Sequence, residues 1–146
     1  MTTQTSRSIK IRRHFNAPRK KVFSAWMDAA VLKKWHAPSK DYTVIIEELD
    51  ARLGGRYRIN MRERDGTDHI LTGVYEQVEN PELLQFSWGW DDDDRFGENK
   101  VILKFEEADG ETTMDMTHEF FPTEELMDKH EKGWNSILDR LEKVLS

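Results

Sequence analysis

The last stretch of the chain constrains its fold more than any other. From Glu124 to Leu145 there is no proline, and Leu126, Met127, Trp134, Ile137, Leu138, Leu141, Val144 and Leu145 recur at helical spacing. At 100° per residue they share an arc of roughly 140° with His130 and Gly133, and the remaining positions are polar or charged. Thr123 is placed to cap the first turn. Glu124 and Glu125 suit the positive end of the helix dipole, and Lys143 suits the negative end. The pattern predicts one helix of about 22 residues, roughly 33 Å long. Its wide apolar face needs a wide apolar partner.

The rest of the chain supplies a sheet. Ser8 to Phe15 alternates Ile9, Ile11, Arg13 and Phe15 against Lys10, Arg12 and His14, as a strand does. Pro18 then opens a short helix through Val22, Phe23 and Trp26, and Asp28 caps a second, Ala29 to Trp35. Six further strands follow: Tyr42 to Leu49, Arg56 to Arg62, His69 to Val78, Leu83 to Trp90, Lys100 to Glu107 and Thr112 to Phe120. Asp65-Gly66 and Asp109-Gly110 are hairpin turns. Short connections imply antiparallel pairing. In the last strand Met114, Met116, His118 and Phe120 are expected to face inward. The predicted class is α+β: a curved antiparallel sheet of about seven strands in the order β-α-α-β6-α, wrapped around the long helix. Residues 8–146 read as a single domain, and residues 1–7 as a poorly ordered tail.

Charged residues make up 34% of the chain and the net charge is −6, which disfavours nucleic acid and anionic membrane as partners. The charge is uneven, since residues 1–27 hold seven basic side chains and no acidic one. That segment can pair with the acidic body or dock an acidic partner. With no cysteine, thiol catalysis and thiolate metal sites are excluded. No secretory signal or membrane-length apolar run is visible, so a cytoplasmic location is expected.

An ordered set of residues resembles a known family. It comprises Asn16-Ala17-Pro18 with Val22, Phe23 and Trp26, Leu32 to Trp35, Ala37-Pro38, and Asp50 to Tyr57. Further along come Gly73-Val74-Tyr75, Pro81 to Leu84, Thr112 to His118, and Gly133-Trp134 with Ile137 to Leu141. Together they are similar to the activator of heat-shock-protein-90 ATPase homologue-1-like family, over roughly residues 8 to 145. That resemblance implies the helix-grip fold shared with START, birch-pollen-allergen-like and polyketide-cyclase-like domains, with a hydrophobic cavity between sheet and long helix. The eukaryotic co-chaperone carries a further N-terminal domain that engages the chaperone, and no such domain is expected within these 146 residues.

Trp35, Tyr57, Phe86, Trp88 and Trp134 read either as packed core or as walls of a pocket for a small apolar or aromatic ligand. With the inward strand positions Ile59, Met61 and Met116, the helix residue Ile137, and His118 and His130, they form the candidate ligand-binding set. Gly133 costs about 1 kcal/mol relative to alanine inside a helix, so it marks either close approach to the sheet or space for a ligand. His118 and His130 are the only catalytic candidates, as an acid–base pair. Two histidines fall short of the three protein ligands usual at a catalytic zinc, and no metal or cofactor is expected. Asp91 to Asp94 lacks the glycine and terminal glutamate of a calcium loop and reads as a solvated turn. Three functions stay open: binding of a small hydrophobic molecule, a chaperone-stimulating or stress-response contact, and an enzyme using the two histidines. A homodimer is an additional option.

Overall fold

The computed structural model describes residues 7–146. The order is β1 (Ile9–Phe15), α1 (Arg19–Ala25), α2 (Ala29–Trp35), β2 (Tyr42–Leu49), β3 (Arg56–Glu63), β4 (Ile70–Glu79), β5 (Leu83–Ser87), β6 (Gly89–Trp90), β7 (Lys100–Ala108), β8 (Glu111–Glu119) and α3 (Glu124–Leu145). A 3₁₀ turn at Asp94–Phe96 lies between β6 and β7. Seven strands run β1-β8-β7-β5-β4-β3-β2, with the two-residue β6 pairing β4 off this path. All pairings are antiparallel. This is the expected α+β helix-grip architecture. Of the expected tail, residues 1–6 lie outside the described residues.

Local chemistry accounts for the elements. Asp28 caps α2 by accepting from the Ala30 amide at 2.9 Å, and Thr123 caps α3 by accepting from Leu126 at 3.1 Å. Asp109 and Gly110 both hold positive φ, 55° and 78°, the mirror-image turn whose twist matches the flanking β7 and β8. Register shifts at Ile46/Glu48 in the β2–β3 pair and at Tyr75/Gln77 in the β4–β5 pair add to the natural twist and curl the sheet. Its inner face buries Phe15, Leu71, Leu84, Leu103, Phe105 and Met114 completely or nearly so.

Two details depart from the sequence reading. The single strand expected over Leu83 to Trp90 is broken at Trp88. Tyr57 lies directly opposite Gly73 in the β3–β4 register, and its ring crosses the space a side chain at Gly73 would fill. Its hydroxyl donates to the Ser87 carbonyl at 2.6 Å, while the Val74 amide turns to the Ser87 hydroxyl at 2.8 Å. With Ser87 so engaged, the Trp88 amide donates instead to the Asn99 carbonyl at 3.0 Å. The second departure is Phe120. It adopts φ 67° and points outward, 41% exposed, and Phe121 takes the inward position against His118 at 4.4 Å.

The basic first segment pairs with the acidic body. Arg12 meets Asp115 at 2.8 Å, and Arg13 reaches α3 at Asp139 (2.8 Å) and Glu142 (3.3 Å). No helix among the described residues is long and apolar enough to cross a membrane.

Gly73→Ala is expected to cost about 2 kcal/mol or more, because its methyl group meets both Ser87 backbone and the Tyr57 ring. Tyr57→Phe removes one hydrogen bond and should cost about 1 kcal/mol. Urea unfolding of the two variants tests the order; equal costs would mean that Gly73 is not what admits the ring.

Candidate functional site

The amphipathic face of α3 is buried unevenly. In its second half Leu138, Leu141 and Leu145 are sealed against the sheet and α2. In its first half Leu126, Met127 and His130 are only partly covered. A cavity of about 180 Å³ opens there, lined by Pro38, Met61, Trp88, Trp90, Lys129, His130, Gly133, Trp134 and Ile137. A Cβ at Gly133 would meet nothing within 4 Å. Of the two readings of this glycine, the structure therefore gives space, not close approach.

Five members of the sequence-derived set meet at this cavity: Met61, Trp88, His130, Trp134 and Ile137. The other six lie elsewhere. Trp35 is fully buried between α1 and α2, edge-on to Trp26 at 4.7 Å, with its Nε1–H donating to the Ala25 carbonyl at 3.2 Å. Phe86, Ile59 and Met116 are core, and Tyr57 packs edge-on to Phe86 at 5.8 Å. His118 is wholly buried behind the cavity wall, 5.0 Å from Trp88 between ring centres. Pro38, Trp90 and Lys129 join the lining without having been singled out. Strand parity put Trp90 on the face of Trp88, whereas Pro38 and Lys129 carry no signal in sequence. A larger groove of about 410 Å³ is lined by Glu48, Arg56, Arg58 and Thr72 together with Tyr57, Trp88 and Phe96, and its walls are mixed in polarity.

The histidines are tied to the tryptophans. The Trp90 indole N–H donates to His130 Nε2 at 2.9 Å, and His130 Nδ1 donates to the Leu126 carbonyl at 2.8 Å. Trp134 Nε1 donates to His118 Nδ1 at 2.9 Å, and His118 Nε2 donates to Asn99 Oδ1. An indole can only donate and a carbonyl can only accept, so these partners assign each tautomer and leave both imidazoles neutral. Burial pushes the pKa of His118 well below its ordinary value, and the neighbouring His130 adds to this. Burial also lowers His130, partly offset by its bond to Leu126. His36, packed beside Trp35 and Trp134, is pushed down to about 4 by burial. The His118 and His130 ring centres are 5.8 Å apart, yet all four nitrogens are engaged. No group of three or more His, Cys, Asp or Glu side chains placed to hold a metal occurs among the described residues.

A curled antiparallel sheet gripping a C-terminal helix defines a helix-grip domain of the START-like class. The sequence profile of the family described as Activator of Hsp90 ATPase homolog 1-like protein matches residues 16–146, and the chain belongs to that family. Solved structures agree. A protein from Chromobacterium violaceum superposes with TM-score 0.85 at 22% identity, covering 95% of this chain and 96% of the other. The AHSA1 protein from Silicibacter pomeroyi gives 0.79 at 27%, covering 93% and 95%. The AHSA1-like protein from Aeromonas hydrophila gives 0.80 at 27%, covering 94% and 90%. Comparison with functionally curated proteins finds no match.

Acid should destabilise the fold through the buried histidines. Their folded pKa values lie below the unfolded value of 6.5, so under that pH the unfolded chain binds protons that the folded chain refuses. Stability is complete above pH 6.5 and falls below it: His36, whose folded pKa is about 4, costs up to about 1.4 kcal/mol per pH unit between those values, and His118 and His130 act in the same direction. Urea unfolding from about pH 7.5 to about pH 5, a range in which exposed carboxylates stay ionised, should show this slope, and a flat profile would contradict it.

Proposed function

We propose that this chain binds a small hydrophobic or aromatic molecule in the cavity between the sheet and α3, and that it does so in the cytoplasm. The observation that carries the reading is Gly133: a residue costly to a helix faces about 180 Å³ of apolar space instead of a neighbouring backbone. Three indoles, Met61 and Ile137 offer the walls that bind apolar rings. The commitment of every ring nitrogen of His118 and His130 supports binding over acid–base catalysis by that pair. The family description favours a second reading, a chaperone-stimulating or stress-response contact. Against a docking role for the basic segment, Arg12 and Arg13 are already engaged by the protein's own carboxylates.

Gly133→Ala should raise stability by about 1 kcal/mol, since its methyl group enters open space and alanine favours the helix. Gly133→Leu should fill the cavity. Toluene titrated into the native protein is expected to shift the indole N–H resonances of Trp88, Trp90 and Trp134, and the leucine variant should abolish those shifts. Unchanged toluene binding in a folded Gly133→Leu protein would remove the cavity as the site.

A further inference from the structure

We propose that the ligand of this cavity is an organic anion: a single-ring aryl or cycloalkyl carboxylate, its ring among Trp88, Trp90 and Trp134 and its carboxylate at Lys129. The inference rests on the binding reading above and specifies its ligand class.

Size sets the ring count. The cavity holds about 180 Å³, and an apolar cavity of about 150 Å³ accommodates benzene. The space is open to solvent on one side, so one ring fits against the indoles and a substituent can extend to the mouth. Charge sets what that substituent is. Lys129 is the one charged side chain among the lining residues; it is exposed and makes no ion pair among the described residues, not even with Glu125 one turn earlier. His130 cannot compete for the group, because both of its nitrogens are occupied.

On the Pro38 side the neighbouring surface has the same sign. Pro38 separates the cavity from a surface groove bearing Lys34, Lys40, Arg140 and Lys143. The only carboxylate lining that groove, Asp139, is held by Arg13 at 2.8 Å. In a chain of net charge −6 this is a local reversal, and such a patch draws anions towards the opening. Indole walls alone would equally suit an organic cation. The unpaired ammonium at the rim and the lysines beyond Pro38 repel one.

Three probes of one shape separate the possibilities: phenylacetate, phenylacetamide and phenethylammonium, each titrated into the full chain and followed by the indole N–H resonances. An exposed ion pair contributes modestly. Phenylacetate should accordingly bind about three- to fivefold more tightly than the amide at low salt, with the gap closing as salt rises and the ammonium weakest. In Lys129→Gln, a change at an exposed side chain, acid and amide should bind alike. If the amide binds and the acid is no tighter, or if the preference survives Lys129→Gln, the anion assignment is overturned and the cavity reading stands. Should none of the three bind the native protein, the cavity reading falls and the assignment falls with it.

Discussion

A straight helix cannot lie flush along a sheet that curls, and the molecule is organised around that mismatch. α3 seals in its second half, where Leu138, Leu141 and Leu145 are buried and two arginines fasten it. Arg13 reaches from β1 to Asp139, Glu142 and the Asn135 carbonyl. Arg140 reaches the other way, donating to the carbonyls of Lys34, Ala37 and Ser39 at the end of α2. In the first half the sheet falls away, and large rings span the gap.

Two of those rings, Trp90 and Trp134, are held by polar bonds inside an apolar setting. Each indole–imidazole bond adds about 1 kcal/mol net, but losing one partner strands a buried polar atom at about 1–3 kcal/mol. Trp134–His118–Asn99 and Trp90–His130–Leu126 therefore specify one arrangement of side chains that apolar contact alone would leave degenerate. Neutral histidine is required at both places, since only a neutral ring both accepts from an indole and donates elsewhere. The same requirement couples the fold to pH.

Much of the architecture was legible in the residues. Periodicity and caps located α3 and α2, and Asp109-Gly110 announced its turn, because each depends on neighbours a few positions apart. What escaped depends on distant partners. The break at Trp88 needs Tyr57 to cross Gly73, a cross-strand event no local pattern contains. The exchange of Phe120 for Phe121 turns on a single strained dihedral. Parity correctly put Tyr57, Phe86, Trp88 and Met116 on one face, but it is silent on depth. Whether an inward ring becomes core or cavity wall is decided by how far the sheet has curled away at that point. Gly133 stood between two explanations until the space around it was known.

Arg140 has a consequence for how the cavity is fastened. By binding the backbone on both sides of Pro38, it ties that wall to the helix carrying Gly133. At the opposite end the Trp90–His130 bond joins sheet and helix, beside the Trp134–His118 bond behind the wall. The lining is therefore fastened to the helix through backbone carbonyls at its Pro38 wall and through side chains alone at Trp90.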